Sequence, residues 1–167
     1  MLTRRIAYIA GPILALCGAA PAFAATATPV TASAEVLEEI QFAVLLDMDF
    51  GHIAVRNPAV GGAVVIDPSS TSRSCDPSLV CAGTWAVSRL ELSGSEAYVQ
   101  VNFDPSFQLT GPGQPIMAEP LFPGGPGAVV HLTGGFTVVN FGARIVVNPG
   151  QAPGSYSGDF TVYLEYN

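Results

Sequence analysis

Lysine is absent from the 167-residue chain, and its six basic residues, all Arg, stand against 13 acids for a formal charge of -7. A chain so poor in positive charge lacks the basic patch that a phosphate backbone requires, which argues against nucleic acid as a partner. Charged residues of both signs reach only 11%, against 49% hydrophobic; an average soluble chain carries about 25% charged residues. That balance excludes a solvated disordered protein and demands a packed core. The length leaves no room for two full domains and fits one domain with a processed leader. Helical patterning is scarce as well. Outside residues 35–46, no ten-residue stretch of the chain beyond the leader keeps a helical period without Gly or Pro inside it, and within 35–46 Ile40, Phe42 and Val44 alternate as a strand does.

What is abundant is turn chemistry. Gly 18 and Pro 14 make 32 of 167 residues, well above the average share of about 12%, and they punctuate short apolar runs. That is the pattern of a turn-rich β protein.

Arg4 and Arg5 precede an apolar run from Ile6 to Leu16 and then small residues ending in Ala22-Phe23-Ala24. This reads as a secretory signal peptide over residues 1–24, cut after Ala24. The run falls short of the roughly 20 apolar residues that a membrane span needs, and nothing later replaces it. The expected product is therefore an exported protein with no transmembrane segment after processing, located in the periplasm, at the outer surface or outside the cell. Cys17 follows an apolar box as a lipidated Cys does, but Leu16 stands where a small residue belongs. Losing two of the six Arg with the leader leaves 13 acids against 4 Arg, a charge of -9.

Cys75 and Cys81 remain, six positions apart. In an oxidising compartment such a pair reads as a disulfide. A metal site needs about four ligands, and only His52 and His131 are left to assist; no metal or cofactor is expected.

Residues 25–34 hold only Ala, Thr, Ser, Pro and Val, too little apolar surface to offset the entropy of ordering them. They form a flexible tail ahead of one domain over 35–167. Period-two alternation then recurs: Ile40, Phe42, Val44 and Leu46; a shifted phase after Gly51, suggesting a bulge; Ala63 to Ile66; Leu90 and Leu92; Val99, Val101 and Phe103. The last two runs, flanking Ser93-Gly94-Ser95, predict a hairpin. Ten Gly and Pro between Gly111 and Gly127 predict a long loop with at most a short strand at Ile116-Met117, and Gly142 separates the runs 136–141 and 144–147. The count is seven to ten short antiparallel strands. It fits an all-β, immunoglobulin-like sandwich, with a barrel as the second option.

Met48-Asp49-Phe50-Gly51-His52-Ile53, then Gly62-Ala63-Val64-Val65-Ile66-Asp67, then Pro153-Gly154-Ser155-Tyr156-Ser157-Gly158 with Phe160, Val162 and Tyr166 resemble the domain of unknown function 4402 family. The resemblance runs from about residue 35 to 167. It implies an exported immunoglobulin-like β-sandwich akin to pilin and spore-coat-type subunits, and it brings no catalytic residues. The end of the chain is also similar to subunits of chaperone-usher pili, with alternating Phe160, Val162, Leu164 and Tyr166, Tyr166 penultimate, and Gly154 fourteenth from the end. Two features depart from that pattern: the cysteines fall within one loop, and the similarity is confined to the end.

Chemical candidates are thin. His52 and His131 have no sequence partner that makes them a base, so outward strand positions are the plainer reading. Asp47 and Asp49 share a strand face as a Ca²⁺ pair does, or as a solvated pair does. The run Gly124-Gly125-Pro126-Gly127 lacks the Lys of a phosphate loop. Trp85, Tyr98 and Tyr163 offer rings for a sugar platform, or for the core. No enzyme is expected. The expected function is a secreted cell-surface structural or adhesive subunit that self-associates or meets an envelope partner by strand addition, residues 25–34 donating to a sheet that contains Gly154, Tyr156, Phe160, Val162, Leu164 and Tyr166. The alternative is a monomeric secreted glycan-binding module.

Overall fold

The structure, a computed structural model, describes residues 31–167. The expected leader at 1–24, with Cys17, and the first part of the expected tail, 25–30, lie outside the described residues. The chain divides into Met1–Glu35 and Val36–Asn167; residues 31–35 are exposed and in no strand. Among the described residues all regular structure lies in the second unit. In chain order its strands are β1 (Gln41–Leu46), β2 (His52–Val55), β3 (Gly62–Asp67), β4 (Ser72–Cys75), β5 (Leu79–Ala82), β6 (Ser88–Ser93), β7 (Ala97–Phe103), β8 (Phe107–Leu109), β9 (Ile116–Leu121), β10 (Ala128–Leu132), β11 (Phe136–Val147) and β12 (Val162–Tyr166), with no helix among the described residues.

The spine is β11. Alternation along its twelve residues turns Val139, Phe141, Ala143, Ile145 and Val147 to one face, and all five are buried. β6 pairs antiparallel with residues 136–141, while β3 and β9 pair with the second half. β1, β4 and β8 extend this to a seven-stranded sheet. Two smaller antiparallel sheets oppose it, β10-β7-β12 and β2-β5. The first closes a core around Leu92, Val99, Val101, Leu132 and Phe141, and the second closes a core around Val64, Leu79, Ile116 and Ile145. The result is the expected all-β, sandwich-like fold.

Four local expectations change. β6 and β7 do not form a hairpin; they enter different sheets and present Leu90 and Leu92, and Val99 and Val101, to the same core from opposite sides. The stretch after Gly111 contains a full six-residue strand, β9, despite Pro120. Its pairing with β8 ends at Ala118, so Pro120 stands where one edge of β9 is free and its missing N–H costs no ladder bond. Gly142 does not interrupt β11: a side chain there would collide with the Ile66 carbonyl, so Gly permits a close approach of β3. The strand count rises to twelve because short β4, β5 and β8 form as well.

Cys75 and Cys81 are joined. Contrary to the one-loop expectation, the bond links β4 of the large sheet to β5 of a small one. Asp76 makes this compact: its carboxylate accepts the Ser78 amide at 2.9 Å and the Ser78 hydroxyl at 2.8 Å, and its carbonyl accepts the Leu79 amide at 2.9 Å. Those bonds, the amide first, hold the Asp76 carboxyl below the ordinary carboxylate range. On the chain-entropy estimate, closing so short a loop stabilises the fold by about 2 kcal/mol.

Candidate functional site

Directly opposed residues of an antiparallel pair share a face. Phe42 opposes Leu92 and Val44 opposes Leu90, and both leucines are buried in the core. Phe42 and Val44 are nevertheless 57% and 58% exposed. They stand on the core side of the large sheet and are less than half covered, where the opposing layer is divided into two small sheets. β12 pairs only with β7, and β2 pairs only with β5, so each presents one free edge.

Beside β2, and facing the segment that leads into β12, lies a groove of about 1080 Å³, with Val162 its one lining residue from β12. Its floor is apolar, with Leu90, Leu109, Ile116, Ile145 and Val147 from the large sheet; residues 47–55 line one side and residues 151–162 the other. The first side is fixed by reciprocal backbone bonds between Asp49 and Ala86, at 3.0 and 2.8 Å. Gly51 turns the chain there at φ +73°, its amide donating to the Asp49 carboxylate at 2.7 Å. Arg73 Nη1 donates to the Phe50 carbonyl at 2.8 Å, its guanidinium carbon 5.9 Å from the centre of the Trp85 ring. The bulge expected at Gly51 is instead a turn ahead of β2; the register shift in this part of the chain lies between Val44 and Leu46, where β1 pairs with β6.

The other side has little regular structure and is held by Tyr156. Its hydroxyl accepts from the Gly113 amide at 3.1 Å and from Gln151 Nε2 at 2.8 Å, and donates to the Ala152 carbonyl at 2.8 Å. Thr110 and Ser157 exchange backbone bonds at 2.8 and 3.0 Å. Phe160 packs beside Phe107 and Phe141, ring centres at 5.2 and 5.6 Å. Tyr156→Phe removes the hydroxyl while keeping the ring, and it strands a backbone donor and a backbone acceptor. It is expected to lower stability by about 1–2 kcal/mol, read as a fall in urea midpoint at constant m; an unchanged midpoint would show that this loop is held by packing alone.

Of the residues expected to form an assembly strand, Gly154, Tyr156, Phe160 and Val162 line the groove. Leu164 and Tyr166 pack on the core, and the Tyr166 hydroxyl donates to the Glu38 carbonyl at 2.7 Å. The alternation expected over 159–166 holds throughout, with Asp159, Thr161, Tyr163 and Glu165 outward. Asp47, Asp49 and His52 gather on one side of the groove; among the described residues no group of three side chains suited to a metal converges. His131 lies elsewhere, stacked on Tyr98 with ring centres 4.7 Å apart and its Nε2 3.9 Å from Glu96. The three-ring platform is not assembled. Tyr98 and Tyr163 share the outer face of β10-β7-β12, but Tyr163 opposes Asn102, four residues from Tyr98 along β7, which is about 13 Å. Trp85 lies outside that sheet, beside Arg73.

Sequence reasoning missed the exposure of Phe42 and Val44 and the anchoring by Tyr156. For the latter a signal existed, since a Tyr whose hydroxyl reaches backbone a few residues upstream is a recurrent corner device of β-sandwiches. The family described as Domain of unknown function (DUF4402) matches residues 40–166. No curated protein and no solved structure matches the chain.

Proposed function

The chain belongs to the family Domain of unknown function (DUF4402), and from that premise we propose that it is an exported bacterial cell-surface subunit, structural or adhesive, that acts by assembly with other chains and not by a chemical step. One observation carries this reading: the opposing layer leaves an apolar groove between the free strand β2 and the segment that leads into β12, with Phe42 and Val44 more than half exposed on the core side. Free edges beside uncovered apolar surface favour strand addition by another chain. Export accords with the leader expected at residues 1–24 and with the Cys75–Cys81 bond, which persists in oxidising compartments.

Sedimentation velocity over a hundredfold range of concentration tests the reading. Oligomers that grow with concentration are the expected result; a monomer throughout would remove it. In that event the glycan-binding reading takes its place, favoured by the exposed Tyr98–His131 stack, and binding to an immobilised glycan panel, lost in Tyr98→Ala, becomes the deciding measurement.

A further inference from the structure

We propose that the groove is filled by the N-terminal segment of a second copy of this chain, residues 30–36, lying as an extra strand along β2, opposite the segment that leads into β12. The inference rests on the assembly reading and specifies its contact. An occupant of this groove must offer backbone donors and acceptors to the free edge of β2, apolar side chains at every second position toward the floor, and polar ones outward. Val30, Ala32, Ala34 and Val36 alternate with Thr31, Ser33 and Glu35. Charge fits the same register. Asp47, Asp49 and Asp159 border the groove, and the only acid of the segment, Glu35, occupies an outward position.

Val36 is 94% exposed and Leu37 38%, so the isolated chain shows apolar surface at both halves of the proposed contact. The donor comes from another copy because of how this end of the chain is tied. Glu38 is held by the Ser95 hydroxyl oxygen, which accepts its amide at 2.9 Å, and by the Tyr166 hydroxyl, which donates to its carbonyl at 2.7 Å. That places Glu38 at the Tyr166 end of β12, whereas the groove is lined by Phe160 and Val162 at the other end. To enter its own groove the segment must double back at Glu38-Glu39, and residues 31–40 contain no Gly, Pro, Asn or Asp to make that reversal. One donor and one groove per chain give a head-to-tail contact, which propagates into open chains when the rotation does not close.

Two variants separate donor from acceptor. Deleting residues 25–36 leaves the groove and removes the donor; Val44→Arg leaves the donor and puts a long charged side chain into the groove at an already exposed position. Phe42→Arg replaces the latter if Val44→Arg does not fold by circular dichroism. In sedimentation velocity each variant alone is expected to be monomeric, and an equimolar mixture is expected to form a 1:1 dimer and nothing larger, while the parent chain forms a series of oligomers. Three results overturn the proposal. Oligomers of the deletion variant would place the donor elsewhere. A mixture that stays monomeric while the parent assembles would acquit the groove. A monomeric parent whose melting temperature drops on deletion would mean that the segment fills its own groove. A monomeric parent without that drop removes the assembly reading itself.

Discussion

Phe141→Ala is expected to lower the stability of the fold by about 3–5 kcal/mol, the range for removing a buried aromatic side chain from a core. Phe141 is fully buried. Its ring meets Phe103 at 5.5 Å edge-on, Phe122 at 4.7 Å and Phe160 at 5.6 Å, contacts that add to burial because aromatic pairs are worth about 0.5–1.5 kcal/mol beyond their area. The backbone beside it cannot move in to fill the space, since the next residue, Gly142, already lies against the Ile66 carbonyl of β3. Domains of this size are stable by about 5–15 kcal/mol in total, so the loss leaves a marginal protein. It also reaches the groove, because Phe160 rests on Phe141 and lines one side. Urea unfolding of the deletion variant, which is monomeric on the inference above, measures the effect free of assembly. A loss under about 1 kcal/mol would mean that the neighbouring rings collapse into the space.

Alternation in the sequence located the inward faces well and the neighbours of each strand poorly. The pattern Phe160, Val162, Leu164, Tyr166 and the pattern Val99, Val101, Phe103 both point into the core as read. Period two reports which side of a strand is buried, and it is silent on which strand lies beside it. For that reason β6 and β7 looked like a hairpin although each packs its leucines or valines on the other from across the core. Local composition misled in the same way at Pro120 and Gly142, where the register with β8 and the approach of β3 decide the outcome. The groove was legible only in part. Phe42 and Val44 read as core-facing, and they do face the core side; their exposure follows from a gap between two sheets that no single segment encodes.

Adding a peptide of residues 28–38 to the chain lacking 25–36 is expected to stabilise it by about 2.7 kcal/mol once free peptide reaches 100 times its dissociation constant. For a domain of this size that corresponds to a rise in melting temperature on the order of 10 °C. The stabilisation comes from covering Phe42 and Val44, which are more than half exposed in the isolated chain, and from giving the free edge of β2 backbone partners. Against it stands the ordering of seven residues, about 1–2 kcal/mol for each backbone. The balance therefore depends on every inward side chain fitting. Ala32→Asp with Ala34→Asp puts two carboxylates on the apolar floor beside a border that already carries Asp47, Asp49 and Asp159, and such a peptide is expected to give no shift. A second control keeps the composition and exchanges Ala32 with Thr31 and Ala34 with Ser33, so that the apolar residues no longer share one face. Register makes the difference between these peptides, since all present the same backbone. If the exchanged peptide raised the melting temperature as much as the natural one, the groove would be taking any extended chain, and residues 30–36 would have no special claim to it.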